Sequence, residues 1–233
     1  MHRAAEAGGL EAVSKATLQE QIYFQLRNRI MSGFFQPGQA LSTRSVAEAV
    51  GVSVMPVRDA LRRLEVENAL VVGHNRMLVV PKLDVQTLME ISEMRVALES
   101  LAVERAVPAM GETDLQRLYE HFSATSESIV SDDIDGYLRA NWAFHNHIYR
   151  CAGAPLLLSA IESLWLRMGP YFRLTAADHQ HLDNAMLIHH DIVGALERYD
   201  VIAARDGIIA DISAATGDLK DWLTSRDGHE AAE

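Results

Sequence analysis

The sequence predicts a mainly α-helical protein, with an N-terminal winged helix-turn-helix, a small β-hairpin wing and an all-helical C-terminal bundle. Three observations lead to this prediction. Two short helical patterns flank Gly51-Val52-Ser53, and two β-rich runs occupy 69–72 and 77–80. Beyond residue 84, apolar residues recur at spacings of three and four with no convincing strand.

Composition places the chain among soluble globular proteins. It has 233 residues, 48% hydrophobic and 23% charged, which suits one or two domains. No apolar run approaches the roughly 18 residues of a membrane helix, and residues 4–14 lack the apolar core of a signal peptide. Cys151 is the only cysteine, which excludes an intramolecular disulfide and a four-cysteine zinc site. We therefore expect a cytoplasmic protein without membrane association.

Charge is distributed unevenly along the chain. The net charge of -11 argues at first against a nucleic-acid partner. Residues 1–80, however, hold nine basic and seven acidic residues, whereas the remainder holds 12 basic and 25 acidic residues. DNA binding requires a local positive surface rather than a positive total. The acidic remainder is expected to lie away from any DNA.

The first helix is expected to follow a flexible tail. Residues 1–16 show no periodicity. Thr17 is a candidate N-cap and Gly33 a stop signal. The helix between them carries an apolar stripe formed by Ile22, Leu26 and Ile30.

Two helices separated by a glycine turn predict a helix-turn-helix. The segments Thr43–Val50 and Val54–Leu64 each place apolar residues on one face, and Gly51 stands in the turn. Arginines on the second helix could reach base edges and phosphates in a major groove. An ordinary pair of packed helices has the same periodicity, so the pattern alone leaves both open. The outward face of the second helix carries Met55, Arg58, Asp59 and Arg62.

The two β-rich runs predict a hairpin that forms a wing. Their connection, residues 73–76, has the glycine and polar residues of a turn. Its tip carries His74 and Arg76, which are placed for minor-groove or phosphate contact. A turn that is merely polar is the alternative.

The rest of the chain predicts six helices after a short linker at 81–84. Pro108 ends the first of them, and Gly169-Pro170 is expected to kink the fourth. The expected helices are 85–107, 112–131, 133–151, 156–176, 178–197 and 200–223, with a flexible tail at 225–233. The residues expected to be buried on the first are Leu88, Ile91, Met94, Leu98 and Leu101.

A set of residues spread over 17–80 matches one known family. They are Gly33, Pro37-Gly38, Leu41, Ala47, Gly51-Val52-Ser53, Pro56-Val57-Arg58, Ala60-Leu61, Leu64 and Leu70-Val71. This run resembles the winged helix-turn-helix of the GntR family of bacterial transcription regulators. The resemblance implies DNA contacts from Arg44, Arg58 and His74.

The sequence departs from the family pattern at Val54, where the family nearly always has a base-reading arginine. An apolar side chain can meet a thymine methyl group but cannot make a bidentate contact with guanine. We therefore expect base contacts to depend more on Arg44, Arg58 and Met55, and the operator to differ from those of typical relatives.

The acidic half contains a second matching set. Asn141 and His145 are four residues apart, so they project from one helix face, while His189 and Asp211 lie on later helices. The layout resembles the FCD domain, the all-helical effector domain of the FadR branch of the GntR family, over residues 84–223. The residues that carry this resemblance are Asn141-Trp142-Ala143-Phe144-His145, His189, Ala195-Leu196, Asp200, Ala204 and Asp211.

That resemblance implies a divalent metal in the bundle. Many family members hold it with an aspartate or asparagine followed by three histidines. Asn141, His145 and His189 match this pattern, and Asp211 replaces the last histidine. Such a set still suits Zn²⁺, Ni²⁺ or Mn²⁺. A metal-free polar pocket is the alternative, because single histidines on apolar faces are more often hydrogen-bonded core residues.

Arginines in the same domain are candidates for binding a carboxylate effector. Arg95 lies in a segment that resembles a family segment whose arginine faces the cavity, and a guanidinium can clamp a carboxylate. A structural salt bridge with Glu99 is the alternative. Arg167 and Arg173 are further candidates of the same kind.

Together these features predict a ligand-responsive bacterial transcription regulator, and specifically a repressor. A homodimer on a palindromic duplex operator would change its DNA affinity when a small carboxylate effector binds. One alternative is a metal-dependent enzyme fused to a DNA-binding module, although no general base or nucleophile motif accompanies the quartet. Another is a constitutive DNA-binding dimer without an effector. The expected domains are 17–80 for DNA binding and 85–224 for effector binding and dimerisation.

Overall fold

The computed structural model describes residues 17–73, 76–176 and 179–230. The predicted tail at 1–16, the predicted contact at His74 and residues 231–233 lie outside this range. The helices are α1 (Leu18–Met31), α2 (Thr43–Val50), α3 (Val54–Val66), α4 (Val85–Ala106), α5 (Glu112–Val130), α6 (Ile134–Cys151), α7 (Pro155–Thr175), α8 (His179–Glu197) and α9 (Val201–Glu230). The strands are β1 (Ala40–Leu41), β2 (Val71–Val72) and β3 (Leu78–Val79). The predicted mainly α-helical fold is confirmed.

The helix-turn-helix forms as the sequence predicts. The Thr17 side chain accepts a hydrogen bond from the Glu20 amide at 3.2 Å, while Glu20 accepts one from the Thr17 amide at 2.7 Å, so a capping box begins α1. Gly51 ends α2 at φ +70°, a conformation that favours glycine. Val50 is exposed rather than part of the predicted apolar face. The buried face of α3 consists of Val57, Ala60, Leu61 and Leu64.

The wing is smaller than the β-rich runs suggested and gains a strand. The antiparallel sheet has the order β1-β3-β2, with Ala40 and Val71 both opposite Val79. The unpredicted β1 lies just before α2 and attaches the wing to the helices. Leu70 and Val80, which flank the short strands, are buried in the core of this unit.

The six predicted C-terminal helices are present, with one correction. Helix α9 continues to Glu230 instead of ending at 223, so it extends into the range 225–233 that was predicted as a flexible tail. Helix α7 includes Pro170 within its length, and the kink expected there stays a prediction. None of the described helices has the length and apolarity to cross a lipid bilayer.

Helix α4 buries Leu88 and Ile91 as predicted, but beyond them it turns a different face inward. Met94 is 53% exposed and Leu101 is 38% exposed, although both were expected to be buried. The inward face instead carries Arg95 and Glu99, which form a buried ion pair at 2.7 Å. Apolar spacing misplaced this face because the centre of the bundle is polar.

The two units meet where the end of α1 packs on α7. Gly169 approaches the backbone of α1 so closely that a Cβ atom there would lie well inside 3.0 Å of the Ile30 and Met31 carbonyl oxygens. Arg27 on α1 also pairs with Glu162 on α7 at 2.9 Å. The DNA-binding unit is therefore joined to the helical bundle by direct contacts as well as by the linker.

Candidate DNA-binding surface and metal centre

A groove of about 690 Å³ lies between α2, α3 and the wing. Four arginines from three separate segments line it, and all four are exposed. Such a positive groove bounded by a helix and a wing suits a DNA backbone and its base edges. The four arginines are Arg44, Arg58, Arg62 and Arg76.

Arg44 and Arg58 have only weak contacts, which they could exchange for phosphates. Arg44 bonds Glu48 at 3.1 Å, but both side chains are largely exposed, and such pairs contribute less than about 1 kcal/mol. Arg58 contacts the Met55 sulfur at 3.9 Å through Nη1. Arg62 was not among the predicted DNA contacts, although its place on the outward face of α3 was the signal that could have selected it.

The first turn of α3 is apolar at its surface. Val54 is 39% exposed and Met55 is 59% exposed. Both can meet base edges only through apolar contact or, for Met55, a weak sulfur acceptor. A bidentate contact with guanine from this surface would have to come from the arginines that follow along the groove.

His145, His189 and Asp211 bring their ligand atoms together inside the C-terminal bundle, although they come from α6, α8 and α9. The Nε2 atoms of His145 and His189 are 3.2 Å apart. The Asp211 carboxylate lies 3.4 Å from His145 Nε2 and 3.1 Å from His189 Nε2. Ligands of a tetrahedral zinc ion with bonds of about 2.0–2.1 Å are about 3.3 Å apart. The observed spacing fits a divalent ion.

A chain of buried hydrogen bonds orients the first of these histidines. The Tyr149 hydroxyl donates to Glu99 at 2.5 Å, so its oxygen accepts from His145 Nδ1–H, which is 3.2 Å away. With its proton on Nδ1, His145 presents the Nε2 lone pair to the cluster. Glu99 is held in turn by Arg95 at 2.7 Å and by the Trp165 indole at 3.1 Å.

Tyr149 was not among the residues predicted for this site. Its position four residues after His145, on the same face of α6, was the available signal. The ring of Phe144 stacks on His189 with centroids 4.7 Å apart, which fixes the second imidazole from the side. The Nδ1 atom of His189 is buried without a hydrogen-bond partner among the described residues.

Burial and neighbouring charges set the protonation of the cluster. Burial lowers the pKa of His145 to about 3, so its imidazole is neutral at pH 7. Burial alone would raise the pKa of Asp211, but the imidazoles of His189 and His145 outweigh it and hold that pKa below its usual range. A neutral imidazole and an ionised carboxylate are the forms that bind a divalent cation.

The cavity beside the cluster is the size of an ion. Its volume is about 30 Å³, and its walls include Asn141, Arg95 and Asp211. Such a space holds about one water molecule, whereas pockets for organic ligands measure roughly 300–1,000 Å³. A space of this size suits an ion or a water molecule, whereas an organic effector would require its walls to move apart.

Two family models match the two halves of the chain. The model of the bacterial regulatory proteins of the gntR family matches residues 18–80, and the FCD domain model matches residues 90–214. The HTH-type transcriptional regulator McbR of Escherichia coli K12 is 32% identical over 198 residues, covering 82% of this chain and 88% of McbR. The chain belongs to the GntR family. Its helical half is an FCD domain.

One solved structure and a second curated relative are also similar to this chain. The structure of E. coli McbR/YncC matches this GntR-family chain with a TM-score of 0.84 at 29% identity, covering 89% of this chain and 99% of that one. The gluconate operon transcriptional repressor of Bacillus subtilis strain 168 is 31% identical over 159 residues, covering 68% of this chain and 63% of that protein. Because the relatives are transcription regulators, the chain is a regulator and not an enzyme.

Within this GntR-family structure, two of the three candidate effector-binding arginines, Arg95 and Arg173, have different positions. Arg95 does line the central cavity, but it forms the ion pair with Glu99 that was the alternative interpretation. Arg173 is not in the wall of the cavity. Its Nε donates to the Gly33 carbonyl oxygen at 2.5 Å, and its guanidinium pairs with Asp135. Because Arg173 belongs to the junction between the FCD and DNA-binding domains, its predicted role as an effector contact is corrected.

Proposed function

We propose that this regulator is a metal-dependent repressor that binds a palindromic duplex operator as a homodimer. The observation that carries this proposal is the convergence of His145, His189 and Asp211 from three helices, with Asp211 also in the wall of a cavity of about 30 Å³. Binding one ion would tie α6, α8 and α9 together. The family membership supplies the DNA-binding role that such an ion would control.

The proposed operator contacts are in the arginine-lined groove. Arg58 and Arg62 on α3 face the major groove, Arg44 on α2 contacts a phosphate or base edge, and Arg76 on the wing contacts the neighbouring backbone. His74 remains a proposed wing contact from the family resemblance alone. With Val54 and Met55 at the start of α3, we expect preference for a thymine methyl group at the place where the family pattern has a base-reading arginine.

The proposed metal ligands are His145, His189 and Asp211, with the Asn141 side-chain oxygen as a fourth. Two imidazoles with oxygen ligands suit Zn²⁺, Ni²⁺ or Mn²⁺. The ion would supply a Lewis-acidic position for a ligand carboxylate. The ligand His145 is oriented without the ion, because Glu99 and Tyr149 keep its imidazole in the tautomer that can bind a metal.

A small organic acid is the proposed effector. Its carboxylate would occupy an open coordination position, and Arg95 in the same wall provides a positive charge beside it. Because the cavity has a volume of only about 30 Å³, an acid larger than its carboxylate must move the helices apart. That movement gives the effector a preference for one conformation, which is what a change in operator affinity requires.

Two observations support repression by a homodimer. The B. subtilis relative is named a repressor, which favours the same direction of control here. The outward face of α4 exposes Met94 and Leu101, two large apolar side chains on one helix surface. A second copy covering that face would bury them and place two DNA-binding units on a two-fold axis.

The test is a titration of operator binding. Duplexes selected from genomic fragments by the purified protein are measured by fluorescence anisotropy in chelator, then with Zn²⁺, Ni²⁺ or Mn²⁺, and then with a panel of carboxylic acids. We expect metal and one class of acid to change the affinity by about 5- to 150-fold.

Two outcomes would contradict the proposal at different points. Failure to bind any duplex at low salt removes the DNA contacts proposed here. An operator affinity that is unchanged by every metal and acid, and equal in the His145→Ala/His189→Ala variant, favours a constitutive dimer instead.

A further inference from the structure

A second group of metal-type ligands lies outside the central cluster. Asp114 on α5 and both His147 and Cys151 on α6 bring one ligand atom each within 4.8 Å of one another. All three side chains are partly buried. None of them takes part in the hydrogen-bond network around His145, so that network does not explain why the three side chains lie close together.

Local structure explains why the three side chains meet. His147 and Cys151 are four residues apart and therefore lie on the same face of α6. Asp114 is in the first turn of α5, where its carboxylate accepts the Gly111 amide at 3.0 Å and caps the helix. The His147 ring reaches the Asp114 backbone, with Nε2 2.9 Å from the carbonyl oxygen. The start of α5 and the end of α6 are thus held side by side.

The ligand types indicate a different preference from that of the central site. A thiolate with an imidazole and a carboxylate suits zinc and similar ions of borderline softness. The His121 ring packs edge-on against His147 with centroids 5.7 Å apart, which places a second imidazole beside the cluster. We propose that Asp114, His147 and Cys151 form a second, thiolate-containing site for a zinc-type divalent ion.

Binding requires a small rearrangement and the release of one proton. Burial, followed by the charge of Asp114, raises the pKa of Cys151 to about 11, so the metal-free thiol is protonated at neutral pH. On binding, the sulfur forms a bond to the ion and its proton passes to water. Ligand atoms of a zinc ion are closer together than 4.8 Å, so α5 and α6 would be drawn slightly closer by the ion.

The two proposed sites share one helix. His145 and His147 are two residues apart and therefore point about 200° away from each other around α6. The central site uses one face of that helix and the sulfur-containing site uses the other. Occupancy of the second site would therefore fix the position of α6 from the side opposite to the central cluster.

Cobalt(II) provides a specific test because Cys151 is the only cysteine in the chain. Cobalt bound to a thiolate has an intense near-ultraviolet charge-transfer band, and the central ligand set contains no sulfur. The full-length His145→Ala/His189→Ala variant is titrated with Co²⁺ after chelator treatment. We expect a saturable band with one ion per chain, which Zn²⁺ displaces, and loss of that band in Cys151→Ser.

Two further variants distinguish metal binding by all three side chains from binding by the Cys151 thiolate alone. Asp114→Asn keeps a side chain that can cap α5, and His147→Gln keeps the length and polarity of the side chain. Circular dichroism checks that both variants remain helical. We expect each to weaken cobalt binding by at least about tenfold. Absence of the band, or a band of unchanged affinity in both variants, would overturn the proposal.

Discussion

At the scale of single residues, the environment gives the same side chain opposite roles. Arg58 is exposed in the groove and its guanidinium is open to a new partner. Arg95 is 2% exposed and is committed to Glu99, which is completely buried. Removing Arg95 would leave a buried carboxylate without its cation, and that cost exceeds anything expected at the surface.

Arg58→Ala is predicted to weaken operator binding without destabilising the fold. The loss of a bidentate base contact corresponds to about 1–3 kcal/mol, or about 5- to 150-fold in affinity. Anisotropy with the selected operator measures this effect. Arg105→Ala is the matched control, because it removes the same charge from an exposed position on α4. Equal losses in both variants would show that only the total charge matters.

Tyr149→Phe is predicted to lower metal affinity at the central site by about 10- to 100-fold. The substitution removes the acceptor that keeps the His145 proton on Nδ1, so the Nε2 lone pair is no longer held toward the cluster. Competition against a metal chelator at pH 7 measures the affinity.

Tyr171→Phe is the control for Tyr149→Phe. It removes another buried hydroxyl, one that accepts the Leu83 amide at 2.5 Å and donates to the Pro81 carbonyl oxygen at 3.3 Å. Both variants should lose stability, but only Tyr149→Phe should lose metal affinity. Unchanged metal binding in Tyr149→Phe would mean that the hydroxyl does not position the ligand.

At the scale of elements, helix α6 organises the FCD domain and the contact of α1 with α7 connects it to the DNA-binding domain. His145 and Tyr149 occupy one face of α6 at a spacing of four, and His147 and Cys151 occupy another. The junction depends on the absence of a side chain at Gly169, where the α1 backbone lies directly against α7. Backbone atoms cannot rotate away as a side chain can.

Gly169→Ala is predicted to destabilise the protein by about 1–3 kcal/mol, because the added methyl group forces α1 away from α7. Chemical denaturation measures the free energy of unfolding. Gly217→Ala is the control, since a Cβ atom there on α9 would meet no atom within 4 Å. It should leave stability unchanged or raise it by up to about 1 kcal/mol. Similar behaviour of the two variants would refute the close contact at the junction.

At the scale of the whole molecule, charge and apolar surface separate the functions of the two halves. The excess of acidic residues lies in the C-terminal half, and we expect repulsion from phosphate to keep that half away from the proposed operator. The exposed apolar residues of α4 lie in the same half. The proposed dimer would therefore form through the C-terminal domain, while the arginine-lined groove belongs to the N-terminal domain.

Leu101→Lys is predicted to dissociate the proposed dimer, because a charge would have to be buried at the α4 face. Light scattering after size exclusion measures the mass in solution. Leu156→Lys is the control, since Leu156 is 89% exposed at the start of α7 and lies on a different helix. An unchanged dimer in Leu101→Lys would place the interface elsewhere.

Sequence alone determined the features that depend on neighbours along the chain. The cap at Thr17, the glycine turn at Gly51 and the apolar face of α3 follow from local spacing, and so does the exposure of Arg44 and Arg58. The same holds for the presence of six C-terminal helices. Local geometry fixes these because helical periodicity repeats every few residues whatever the helix packs against.

Only the tertiary structure decided how distant side chains meet. Nothing in the spacing of residues 145, 189 and 211 required three ligand atoms within 3.4 Å. The local sequence also did not indicate that Arg173 bonds the Gly33 carbonyl oxygen, or that Met94 faces outward from α4. Each of these depends on the rotation of one packed helix relative to another. That rotation is determined by the energy of the whole core, including its buried polar centre, and not by the local pattern.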